Sequence, residues 1–257
     1  RIYDAHEYFT ELKEVRTRPH IKAFWAAVEQ ATVPRYHLGY TVSAGLAEAF
    51  KQRYNRDYAL VRNMPVKASY AAKQKGEEYL FYGGAVNEGR GFEVLIPAMQ
   101  KIPYRLILAG DGNFMPQLKA LIMEHGVEEK VTIKGMLLPT AIIELATRAT
   151  LGIALAEKEG INQYLALPNK FFDYMHAGLP QIAMNYPEYT KINDVFNVAV
   201  LLDDLSVDAV TNAINSTMMN KKLLQQMARA CLEAKEVFNW DSEENSLLLF
   251  YKNVFKD

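Results

Sequence analysis

The chain has 257 residues, half of them hydrophobic and 23% charged, and its 29 Lys and Arg against 30 Asp and Glu leave a net charge of −1. That balance argues against a dedicated nucleic-acid binder, which needs a basic surplus for its phosphate contacts. A single cysteine, Cys231, excludes an internal disulfide framework and a zinc–cysteine cluster, and no apolar run approaches the roughly 18 residues of a membrane span. With no visible signal peptide the expected location is cytoplasmic, with the inner face of the membrane as the alternative.

Residues 1–68 carry 11 Lys and Arg against 7 Asp and Glu, so the slight basic excess sits in the first part of the chain. Short strands are expected there over 1–4, 37–42 and 58–62, with helices within 20–31 and over 44–54. Ser43 is placed to cap the second of these helices. Three short strands make an incomplete sheet, the closing part of a lobe. The expectation is that about 100 or more residues of that lobe lie upstream. Phe24 and Trp25, with Arg16, Arg18 and Lys22 before them, are either an exposed lobe surface or a patch suited to peripheral membrane contact.

The stretch 64–78 is polar and Lys-rich, and 69–78 is expected to link two lobes. From 79 the pattern changes to short continuous apolar runs alternating with helical stretches. Strands are expected over 79–82, 105–109, 131–134, 151–155, 181–184 and 199–202, each buried on both faces. Helices are expected near 91–101, 114–125, 139–147, 169–177 and 206–219. The fold class that follows is α/β: a Rossmann-like parallel sheet over 79–238 with helices on both faces, beside an incomplete α/β lobe. A last helix runs from Trp240 to Phe255. Its Leu247, Leu248, Phe250, Tyr251 and Val254 are spaced for one buried face, and 239–257 is expected to cross back to the first lobe.

Four strand ends carry candidate chemistry. Gly83-Gly84-Ala85-Val86-Asn87-Glu88-Gly89-Arg90-Gly91 lets backbone approach a ligand closely and adds a cation at a helix start. It is not a P-loop, since Arg90 stands for the Lys and Gly91 for the Ser or Thr. A tight turn with a surface Arg is the plainer reading. Pro168-Asn169-Lys170-Phe171-Phe172-Asp173 begins a short helix that Gly178 and Pro180 end. Asn169, Lys170 and Asp173 share a face there, suited to a phosphate followed by a ribose diol, or simply to an exposed Lys–Asp pair. Leu108-Ala109-Gly110-Asp111-Gly112 marks a further sheet edge, and Lys134-Gly135-Met136 another whose backbone could pair with a base. Cys231 and His176 read as packing residues.

Taken in order, these segments resemble the GT-B glycosyltransferases of the family-4, glycosyl transferases group 1 type. Asp173-Tyr174-Met175-His176-Ala177-Gly178-Leu179-Pro180 is similar to that group's E-A-M-A-x-G-x-P, with Asp for Glu. Gly84 to Gly91 resembles its G-R-L-x-x-x-K-G loop, with Ala85 for the Arg and Arg90 for the Lys. Leu106–Gly112 resembles L-x-I-x-G-x-G and Val131–Gly135 resembles V-x-F-x-G. Tyr3-Asp4-Ala5-His6-Glu7 resembles the strand-then-His segment facing the donor sugar.

The resemblance implies a retaining, metal-independent transfer of a hexose from a nucleotide-diphosphate sugar to a saccharide or lipid-linked acceptor, as in cell-envelope polysaccharide synthesis. It implies no cofactor. Donor contacts would come from Gly83, Gly84, Arg90, Gly91, Gly110, Met136, Asn169, Lys170 and Asp173, and catalysis from His6 and Glu7. The family commonly has a Glu eight residues before the ribose-binding acid. Here that position is Leu165, with Glu159, Asn162 or Gln163 as candidate replacements. A nucleotide-sugar epimerase or hydrolase of the same fold, or a non-catalytic nucleotide-sugar-binding module, are the alternatives. A chain lacking the front of its acceptor lobe is expected to bind nucleotide yet transfer sugar poorly.

Overall fold

The structure, a computed structural model, describes residues 1–67, 77–158 and 160–255. The expected linker therefore lies outside the described residues except at Glu77 and Glu78, and Glu159 lies outside them too.

The chain opens with strand β1 (Ile2–Ala5), the short helix α1 (Lys13–Arg16) and the longer helix α2 (Pro19–Thr32). Strand β2 (Leu38–Thr41), helix α3 (Ala44–Tyr54) and the two-residue strand β3 (Ala59–Leu60) follow. The three strands pair in parallel in the order β1-β2-β3. Ser43 caps α3 as its position predicts, its hydroxyl accepting the Leu46 N–H at 3.1 Å. Buried rings of Tyr8, Phe50, Tyr54 and Tyr58 fill the core behind these strands. The strand expected over 58–62 shrinks to β3, because the Arg62 N–H leaves the ladder for the Glu243 carboxylate at 2.8 Å.

The second sheet alternates strand and helix. It begins with β4 (Tyr79–Gly83), α4 (Phe92–Ala98), β5 (Arg105–Ala109), α5 (Met115–Glu124) and β6 (Val131–Gly135). Then come α6 (Pro139–Arg148), β7 (Leu151–Ala154), α7 (Ile161–Leu165), α8 (Asn169–His176) and β8 (Gln181–Met184). The chain continues through α9 (Pro187–Phe196), β9 (Ala199–Leu202), α10 (Val207–Met219), α11 (Lys221–Ala234) and α12 (Trp240–Val254). All six strands are parallel, in the order β6-β5-β4-β7-β8-β9. Leu80, Phe81, Tyr82, Leu106, Leu108, Ile153 and Ile182 are buried, which explains the continuous apolar runs. The strand order reverses between β4 and β7, the switch point where open α/β sheets bind ligands.

Helix α12 returns to the first sheet. The Trp240 N–H donates to the Pro65 carbonyl at 2.9 Å, and the Phe250 ring meets Tyr40 edge to face at 5.4 Å. Its expected buried face is corrected. Leu247, Phe250, Tyr251 and Val254 are half-buried and Leu248 is exposed. The helix is held by its first turn, where Glu243 is buried, and by Phe250, so the apolar strip is only partly covered. Cys231 and His176 are buried as expected. No helix among the described residues is long and apolar enough to cross a membrane.

Candidate active site

A cleft of about 1090 Å³ opens between the two sheets, walled by the ends of β1 and β4, Ala156 beyond β7 and the start of α8. The glycine loop after β4 forms its floor. That loop is braced by the turn after β5: Gly84 N–H donates to Ala109 O at 2.9 Å and Val86 N–H to Asp111 O at 3.0 Å. Asn87 and Asn113 exchange support, each side chain accepting a backbone N–H from the other loop at 3.2 Å. Gly110 takes φ +145°, and a Cβ there would strike the Gly84 carbonyl, so no side chain fits.

Helix α8 starts at Asn169, with Pro168 as its N-cap rather than inside its first turn. Lys170 is buried, not exposed, which removes the reading of a solvated Lys–Asp pair. Its ammonium lies 3.6 Å from the centre of the Tyr82 ring. Gly84 lies beside the Lys170 stem at φ +136°, a conformation that favours glycine. Neither Lys170 Nζ nor Arg90 Nε, both buried, has a hydrogen-bond partner. Burial and the Arg90 charge push the Lys170 pKa well below its ordinary value. Burial raises Asp173 to about 6, against the opposing pull of Lys170. Unsatisfied buried donors are rare, and two cations facing one space are the complement of an anion.

Across the cleft, His6 and Glu7 are exposed just past β1, and His6 Nε2 lies 3.0 Å from Asp4 Oδ1. The cleft brings together His6, Glu7, Gly83, Gly84, Arg90, Asn169, Lys170 and Asp173. Three expected donor residues are not on its walls. Gly91 is the N-cap of α4 at φ +72° and faces Leu155 and Leu205, Gly110 buttresses Gly84 from behind, and Met136 is exposed beyond β6. Leu165 is turned into the first core, so the position eight residues before Asp173 brings no polar group to the cleft. Asn162 and Gln163 line the cleft instead. The basic patch near Phe24 and Trp25 is weaker than the sequence suggests, because Arg16 and Lys22 both pair with Glu11. Tyr82, which carries the Lys170 ammonium, has no sequence signal for that role, because its strand reads only as core.

Two parallel α/β sheets facing a cleft with a glycine loop and paired cations at the switch point define a molecule of the GT-B type. The match to the family described as "Glycosyl transferases group 1", over residues 66–233, covers most of the chain, and the protein belongs to that family. Its fold is similar to sucrose-phosphate synthase from Thermosynechococcus elongatus, with a TM-score of 0.80 at 17% identity over 99% of this chain and 68% of that one. Anabaena HepE, in a complex with UDP and glucose, gives 0.79 at 16% identity over 98% and 71%. A glycosyltransferase from Rickettsia africae gives 0.71 at 12% identity over 100% and 77%. No curated protein matches the chain by sequence.

Proposed function

We propose that the cleft binds a nucleoside-diphosphate sugar and that the chain transfers its sugar, with retention at the anomeric carbon, to an acceptor held against the first sheet. The observation that carries this reading is the pair of buried, unpartnered cationic atoms, Arg90 Nε and Lys170 Nζ, beside the glycine loop. A diphosphate supplies the acceptors both atoms lack. Its negative charge grows as the bond to the sugar breaks, and fixed cations in a partly dry site meet that charge without reorganising. Asp173, one turn along α8 from Lys170, is placed for the ribose hydroxyls. His6 and Glu7 face the sugar from the other wall. The acceptor class that fits is a saccharide, free or lipid-linked, and the exposed Phe24 and Trp25 on α2 would carry any peripheral membrane contact.

The test is thermal unfolding with UDP, GDP and ADP, each with and without Mg²⁺. UDP is the first probe, since Anabaena HepE binds it. A nucleotide at one hundred times its Kd stabilises by about 2.7 kcal/mol. We expect that shift with or without Mg²⁺, and Arg90→Ala to weaken affinity by about tenfold or more. The absence of a shift with all three nucleotides would overturn the reading.

The acid in the site sets a pH dependence. Asp173 titrates near 6, and only its ionised form accepts from two hydroxyls at once. UDP-glucose carries no phosphate group titrating near that pH. Its affinity should therefore hold above pH 6 and fall below it, by at most about tenfold per unit. Asp173→Asn should bind more weakly and show a flat profile between pH 5 and 7 by calorimetry.

A further inference from the structure

The segment from Ala156 to Ala166 leaves the larger sheet and ends in the core of the smaller one. Leu165 and Ala166 pack against the cluster that contains Tyr8 and Phe50, and the Leu165 carbonyl accepts the Ser43 hydroxyl at 2.6 Å. The other end of the segment is tied to the glycine loop, where the Glu157 N–H donates to Gly89 O at 3.0 Å. With its amide oriented to satisfy both neighbours, Gln163 donates to Glu157 O at 2.9 Å and to Gly89 O at 3.2 Å. Gly89 immediately precedes Arg90.

Between these anchors stands Asn162. It is buried, and its Oδ1 accepts the backbone N–H of Tyr8 at 2.8 Å. Tyr8 directly follows His6 and Glu7, and its ring is locked in the smaller core. A buried amide costs stability unless it is paired, and here the partner is a backbone donor of the opposite lobe. A second cross-cleft tie, Lys13 to Glu157 at 3.0 Å, is partly exposed and so contributes less.

We propose that Asn162 is a positioning residue: through Tyr8 it sets the place of His6 and Glu7, and through Gln163 and Gly89 that place is coupled to occupation of the glycine loop. The coupling half rests on the nucleotide reading above. The positioning half stands on the free protein alone. An anion drawing on Arg90 fixes Gly89, Gly89 fixes the start of α7, and Asn162 then holds the opposite wall.

The experiment is amide hydrogen exchange on the segment spanning Tyr8, with and without UDP, beside UDP binding by thermal shift. In the wild-type protein the Tyr8 amide should slow when UDP binds. In Asn162→Ala it should exchange about tenfold faster without ligand and ignore UDP, while UDP affinity stays within about twofold. Asn162→Asp keeps an acceptor oxygen in the same place and should restore slow exchange. Gln163→Ala should leave the free protein's Tyr8 exchange unchanged and remove its response to UDP. In turnover of a nucleotide sugar, Asn162→Ala should lower kcat with donor KM unchanged. Wild-type exchange rates in Asn162→Ala, or no rescue by Asn162→Asp, would overturn the positioning role. A retained UDP response in Gln163→Ala would overturn the coupling. If UDP produces no thermal shift, the donor reading falls on that ground, and the ligand-free comparison still decides the hold of Asn162 on Tyr8. Should Asn162→Ala not fold, Asn162→Asp decides the positioning role by its Tyr8 exchange, and Gln163→Ala decides the coupling.

Discussion

Gly110→Ala should cost the protein about 3–5 kcal/mol, from strain and overpacking together. A native domain has about 5–15 kcal/mol in all. Two effects add at this position. At φ +145° an L side chain is strained whatever the space around it. The space is also taken, because the added Cβ meets the carbonyl oxygen of Gly84, and backbone cannot rotate aside as a side chain does. Neither loop is free to retreat: Gly84 N–H is bound to Ala109 O at 2.9 Å, and Gly110 N–H to Gly135 O at 2.8 Å. Gly126→Ala is the matched control, with φ +62° and nothing within 4 Å of the new Cβ. It should cost only the backbone term, about 1–2 kcal/mol. Urea midpoints of the two variants decide it, and equal losses would show that the close approach of the two glycine loops contributes nothing. Whatever fraction of Gly110→Ala folds should also bind UDP more weakly, since the Gly84 it displaces lines the cleft.

The Gly110 contact also shows which features could be read from the chain. Six apolar runs separated by helical stretches identify a parallel sheet, because strands buried on both faces admit few polar residues. Ser43 is legible for a local reason, as a cap needs only its own helix. Helix α7 has five residues, too few for a period, whereas α9 does carry a start signal, Pro187 followed by Glu188 in its first turn. At the site, the glycine loop and the Asn169–Asp173 run could be singled out by composition. What they do together could not. Lys170 is buried against the Tyr82 ring, which lies far from it in sequence. The same holds for Asn162, whose partner is a backbone N–H of another lobe and carries no side-chain signature. Met136 is exposed and off the cleft walls, and the base contact expected of its segment is a backbone one, which has no side-chain signature either.

Lys170→Met should make the ligand-free protein more stable and its UDP complex weaker. The opposite signs separate a binding residue from a structural one. In the free protein the ammonium has left water for a slot in which no acceptor reaches it, and the Tyr82 ring returns only part of that hydration. Methionine keeps the length and the packing and removes the desolvated charge. The gain should be about 1–2 kcal/mol, or roughly 2–8 °C in Tm for a chain of this size. Its pH dependence follows from the direction of the Lys170 shift. The folded pKa lies below 10.5, so between those two values the unfolded chain binds more protons than the folded one. Wild-type stability therefore rises with pH across that window, and the advantage of Lys170→Met should be greatest below it and shrink as pH climbs through it. UDP reverses the balance, since its diphosphate gives the ammonium the acceptors that the free protein withholds. Losing that charged contact should cost about 2–3 kcal/mol, roughly 30- to 150-fold in affinity. Because the anion favours the charged lysine, binding at a pH inside the window should take up a proton. Calorimetry of wild type in two buffers of different ionisation enthalpy should register that uptake, and Lys170→Met should not. A variant that is less stable without ligand, yet binds UDP as the wild type does, would assign Lys170 to holding Tyr82 and α8 together and remove it from the donor site.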